Sequence, residues 1–116
     1  MDRNQSKYEA IEELLSGVME LLGDLYQSGF DTVHDSTLEE LEGAVEQTGQ
    51  FGMQYLSEML EQLTSEIAAG RHQTKEVHAT KRKTTIAELY TNLNEYLYLS
   101  RQKAVYDKGL HYYTEI

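Results

Sequence analysis

The sequence has no cysteine, no proline and no tryptophan, and it has only two phenylalanines among its 116 residues. The lack of cysteine excludes disulfides, thiolate metal ligands and a cysteine nucleophile. The lack of proline means that no residue must interrupt a helix. No run of about 18 apolar residues occurs, so no membrane-spanning helix is predicted. The polar, acidic N-terminus is unlike a secretory signal, which favours a cytoplasmic protein.

Basic residues are scarce as well. The chain has 10 Lys and Arg against 20 Asp and Glu, a formal net charge of −10. A surface of this sign repels phosphate backbones, so nucleic acid is an improbable partner for the chain as a whole. Half of the basic residues lie in one stretch, residues 70–85, and a nucleic-acid role would have to depend on it.

What the chain does contain is a helical pattern. Leu, Glu, Gln and Ala recur throughout, and apolar residues return at steps of three and four. The pattern predicts a single all-α domain over residues 1–116, a helical bundle of three main helices. The helices are expected at about 6–28, 36–69 and 74–108, with a short C-terminal tail at 109–116.

The second predicted helix contains a possible break. Its apolar stripe keeps one phase through Gly49 and Gly52, which favours a continuous helix that forms a long antiparallel hairpin with the third helix. Each interior glycine disfavours a helix by about 1 kcal/mol, however. A break near Gly49, which would give four helices, is therefore the alternative.

The predicted helix lengths indicate a surface for self-association. The hairpin would span about 50 Å but the first helix only about 34 Å, so the hairpin tip would be uncovered. The apolar residues of that tip are the predicted interface: Leu56, Met59, Leu60, Leu63 and Ile67. An exposed apolar strip usually marks a partner surface, and a second copy of the chain is the simplest partner. The sequence thus predicts a homodimer, with any further protein partner unknown.

The basic stretch permits two interpretations. Its cations are Arg71, Lys75, Lys81, Arg82 and Lys83. The favoured interpretation pairs them with Glu58, Glu61 and Glu66 of the facing helix or of a second protomer. The alternative is that residues 71–83 bind nucleic acid or another anionic ligand, although no aromatic residue lies in the stretch.

Signals for catalysis are weak. The four histidines do not form Glu-x-x-His or His-Glu-x-x-His patterns, and no nucleophile elbow or phosphate-binding glycine loop occurs. The chain is therefore expected to have no catalytic, metal or cofactor-binding residues. Seven tyrosines are expected to bury their rings in the core with the hydroxyls toward solvent, rather than line a ligand pocket or stack on bases: Tyr8, Tyr26, Tyr55, Tyr90, Tyr96, Tyr98 and Tyr106. The function predicted is a non-catalytic protein–protein interaction module: a small adaptor, chaperone or regulator.

Overall fold

The computed structural model describes residues 3–30, 33–70 and 76–114, and it describes side chains at 7–30, 33–70, 80–107 and 109. The described residues form four helices. They are α1 (Arg3–Ser28), α2 (Asp35–Gln50), α3 (Gln54–Gly70) and α4 (Glu76–Thr114). The all-helical prediction is confirmed, and of its two versions the four-helix alternative is the one observed.

The helices form an antiparallel bundle in which each packs against its neighbours in the chain and α4 packs back on α1. Contacts at both ends of α3 give its direction against α4, since Glu66 pairs with Arg82 and Tyr55 touches Tyr96. The core lies between the four helices. Its fully buried side chains are mainly leucines: Leu15, Leu22, Leu25, Leu41, Leu56, Leu60, Leu63, Leu93 and Leu97.

The turn between α2 and α3 replaces the continuous helix that the apolar phase predicted. The amide of Gly52 donates to the carbonyl of Gly49 at 3.0 Å, and the amide of Met53 donates to the carbonyl of Thr48 at 2.9 Å. This pair of bonds is a Schellman motif, with Gly52 in the left-handed conformation at φ 78°. The chain therefore reverses at residues 51–53, and α3 returns along α2.

A side-chain contact holds this reversal closed. The hydroxyl of Ser57 donates to the carbonyl of Val45 at 2.8 Å, across the two helices. Gly49 lies at the same point, where an added Cβ would be 3.5 Å from the Ser57 hydroxyl oxygen. The prediction of a continuous helix was wrong because the apolar periodicity keeps one phase across residues 51–53, where the helix ends and the chain reverses.

The glycine of this turn gives a test of the four-helix arrangement. Gly52→Ala is expected to lower the free energy of unfolding by about 1–2 kcal/mol, because φ 78° is strained for a residue with a Cβ. Gly43→Ala is the matched control, since Gly43 lies inside α2 and an added Cβ meets nothing within 4 Å. The control should raise the free energy of unfolding, and so stabilise the protein, by about 0.5–1 kcal/mol. Urea unfolding followed by circular dichroism measures both, and stabilisation by both substitutions would contradict the turn.

The four helices differ greatly in length. Helices α2 and α3 have 16 and 17 residues, whereas α1 has 26 and α4 has 39. At about 1.5 Å per residue, α4 extends roughly 58 Å, close to the 61 Å length of the molecule. The predicted end of the last helix at Gly109 is wrong, because α4 continues through this glycine to Thr114.

Because α1 and α4 are longer, they extend past α2 and α3 at one end of the molecule. The start of α3 lies beside Tyr96, and Gln47 in the last turn of α2 lines one groove with Glu13 and Leu14 of α1. The residues beyond these levels, 3–12 of α1 and 98–114 of α4, form a two-helix extension that we call the arm. An unequal bundle was predicted, but the end that projects is formed by residues 3–12 of α1 and 98–114 of α4 rather than by the hairpin tip near residue 70.

Candidate protein-binding surface on α4

The residues predicted as an interface lie in the interior of the chain. Leu56, Leu60 and Leu63 have no exposed surface, Ile67 is 1% exposed and Met59 is 7% exposed. Helices α2 and α4 both pack against α3 and supply the cover that the three-helix arrangement lacked. The prediction that these five residues form an uncovered apolar strip is therefore wrong. Self-association of the chain stays a prediction, and it would need another surface.

The basic stretch lies partly in the described structure. Arg71 and Lys75 are outside the described residues, while Lys81, Arg82 and Lys83 lie on the first turns of α4. A guanidinium nitrogen of Arg82 donates to a carboxylate oxygen of Glu66 at 2.9 Å. This pair joins α4 to α3 within one chain, as the favoured interpretation expected for that residue. Lys83 also has an interaction partner.

Neighbouring carboxylates disfavour the binding of an anion at this stretch. Glu58, Glu61 and Glu66 line one groove between α3 and α4, on the same side as Arg82. A phosphate brought to Arg82 would meet these carboxylates and would compete with the existing ion pair. Binding of nucleic acid or another anion through residues 71–83 remains a prediction, without a described contact in its favour.

A different apolar surface is present on the arm. Four large side chains of α4 are more than half exposed: Tyr98 at 59%, Leu99 at 60%, Val105 at 53% and Tyr106 at 65%. Their spacing of one, seven and eight residues places them on one face of the helix. We call these four residues the α4 stripe. The exposed side chain of Gln102 lies on the same face, between the two pairs.

The α4 stripe is on the outer side of α4. The core of the bundle receives Ile86, Leu93, Leu97 and Ala104, which project from the opposite side of the helix. Within the bundle the outer side of α4 is exposed and largely polar, with Thr84, Glu88, Thr91 and Glu95. The outer side becomes apolar only along the arm. Packing among the described residues therefore does not account for the α4 stripe.

One flank of the arm carries a charged groove. Arg101 lies in a groove of about 450 Å³ whose other wall is formed by four glutamates of α1, namely Glu9, Glu12, Glu13 and Glu20. A cation beside several carboxylates is stabilised electrostatically, so this groove favours the antiparallel contact of α1 with α4. The arm thus has a charged groove on one flank and an apolar outer face.

Sequence reasoning missed this surface. Tyr98 and Tyr106 were expected to bury their rings, as Tyr90 and Tyr96 partly do: Tyr90 contacts Tyr26 and Phe30, and Tyr96 contacts Tyr55. Leu99 and Val105 were not singled out as surface residues. The available signal was the second apolar face of α4, on the side opposite Leu93 and Leu97.

The described residues hold neither a cluster of metal ligands nor a membrane-spanning helix. No group of three or more His, Asp or Glu residues in that part of the chain could hold a metal ion. Within the same residues, no helix has both the length and the hydropathy needed to cross a membrane. The α4 stripe is the feature of the described surface that is best suited to binding.

Comparisons with protein-family models, with curated proteins and with solved structures found no match to this chain. The fold and the surface then characterise the protein. They define an antiparallel four-helix bundle with a two-helix arm, and the outer face of that arm is apolar.

Proposed function

We propose that this protein is a non-catalytic protein–protein interaction module that self-associates through the α4 stripe. The observation that supports the proposal is the placement of Tyr98, Leu99, Val105 and Tyr106, each more than half exposed, on one face of α4. Tyrosine is enriched at interfaces because its ring supplies apolar area and its hydroxyl tolerates water.

The size of the surface limits the strength of the interaction. Two copies of the α4 stripe, with the helix surface beside them, would bury on the order of 1,000 Å², the lower end for specific interfaces. The charge of −10 on each chain adds repulsion between copies. A reversible homodimer with micromolar affinity is the expected result, in keeping with an adaptor or regulator that assembles and dissociates.

Sedimentation equilibrium of the unmodified chain tests the proposal. At the lowest concentrations the mass should equal one chain, 13.3 kDa. Across the micromolar range it should rise toward twice that mass along a single monomer–dimer isotherm. A mass that stays at one chain throughout this range would overturn self-association, and an open series of larger species would contradict a closed dimer.

A further inference from the structure

The α4 stripe lies within a pseudo-palindromic segment. Residues 98–106 read YLSRQKAVY. Tyr98 matches Tyr106, Leu99 matches Val105, and Gln102 is at the centre. The matching extends to small residues at 100 and 104 and to cations at 101 and 103. Read in either direction, the segment therefore presents nearly the same pattern of apolar and polar groups.

Such symmetry suits one kind of contact. In a closed dimer the same patch serves both partners, so residue i of one copy meets residue j of the other, and j meets i. When two identical helices pair in antiparallel fashion, each residue meets the residue of the partner that lies equally far from the two-fold axis in the opposite direction along the sequence. An axis at Gln102 would place Tyr98 opposite Tyr106 and Leu99 opposite Val105. Apolar groups would then meet only apolar groups.

We infer that two copies of the protein pair α4 against α4 in antiparallel orientation, about a two-fold axis at Gln102. This inference rests on the proposed self-association and adds its geometry. The Gln102 side chains would meet on the axis, where an amide can both donate and accept a hydrogen bond across the pair. The two bundles would lie at opposite ends of the dimer, joined through their arms.

Charge on the outer side of α4 favours antiparallel over parallel pairing. A parallel pair would place the exposed Glu88 and Glu95 of one copy beside the same residues of the other. Antiparallel pairing at Gln102 separates the two Glu95 residues by about 21 Å along the helix axis and the two Glu88 residues by about 42 Å. These distances exceed the screening length of about 8 Å at physiological salt, so the repulsion becomes small.

Cysteine cross-linking tests the geometry, because the chain has no cysteine of its own. In Gln102→Cys the introduced sulfurs would meet on the axis, within reach of a disulfide. Thr91→Cys is the matched control: it is exposed on the outer side of the same helix, but its two copies would lie about 33 Å apart. Under mild oxidation we expect Gln102→Cys to form a covalent dimer at least about tenfold faster than Thr91→Cys.

The outcomes separate this inference from the proposed function. The mass of each variant is measured under reducing conditions before oxidation. If both variants associate but cross-link equally fast, or Thr91→Cys cross-links faster, the antiparallel axis at Gln102 is overturned while self-association stands. If both variants and the unmodified chain stay monomeric and cross-link only at the slow rate of random collision, self-association itself is overturned.

Discussion

Replacing Leu60 with alanine is expected to lower the free energy of unfolding by about 3–5 kcal/mol. Leu60 has no exposed surface and lies in the core where α3 packs against α2 and α4. The substitution removes buried methyl groups and leaves a cavity that neighbouring leucines fill only in part. Domains of this size have a total stability of about 5–15 kcal/mol, so this one change removes a large share of it.

The matched control is the same substitution at Leu99. Because that leucine is 60% exposed, Leu99→Ala should change the free energy of unfolding by no more than about 0.5 kcal/mol. Urea unfolding of both variants is measured at protein concentrations well below the expected dissociation constant of the dimer, so that association does not add to stability. A Leu60→Ala variant as stable as Leu99→Ala would show that α3 is not covered.

The second large effect is expected on association. Leu99→Glu should raise the dissociation constant of the dimer at least about thirtyfold, equivalent to about 2 kcal/mol, the threshold for an interface hot spot. The substitution removes an apolar contact and places a carboxylate where the partner offers Val105, an apolar side chain that cannot compensate the charge. Because position 99 is exposed, the monomer should keep its fold, which circular dichroism verifies.

Thr84→Glu is the control for charge. It adds the same negative charge on the outer side of α4, but in the polar part of that side within the bundle. Its effect on the dissociation constant should be less than about threefold, since exposed charges at a distance are screened. Light scattering over a dilution series compares the two variants. Equal weakening by both would attribute the loss to net charge rather than to the α4 stripe.

The sequence predicted the helical class because its apolar periodicity is strong, but periodicity could not locate the reversal between α2 and α3. The side chains of Leu41, Thr48, Leu56 and Leu63 keep one phase across the turn, and all four are buried in a single core. The local signal was a glycine followed by an apolar residue, Gly52–Met53, which is typical of a Schellman motif. An interior glycine in an apolar phase reads equally well as part of a helix.

That one misplaced turn also determined where the binding surface was expected. A continuous helix from 36 to 69 would project past α1 and leave Leu60 and Leu63 uncovered. Once the chain reverses at Gly52, these residues are enclosed and the projecting helices become α1 and α4. The pairing of Arg82 with Glu66 survived the change, because it depends only on the short connection between α3 and α4. The α4 stripe could be identified only from the fold. A second apolar face of a helix is recognisable as exposed only once the face that packs into the core is known.

The outer face of the arm should become covered when two copies meet. The most direct measurement is thiol labelling of a trace of Val105→Cys, mixed with increasing amounts of the unmodified, cysteine-free chain. The labelling rate at position 105 should fall several-fold along a saturable curve as the partner covers it, because a buried thiol is shielded from the reagent. The rate for Ala87→Cys, exposed on the outer side of α4 within the bundle, should stay constant. Equal rates at position 105 with and without the unmodified chain would contradict the claim.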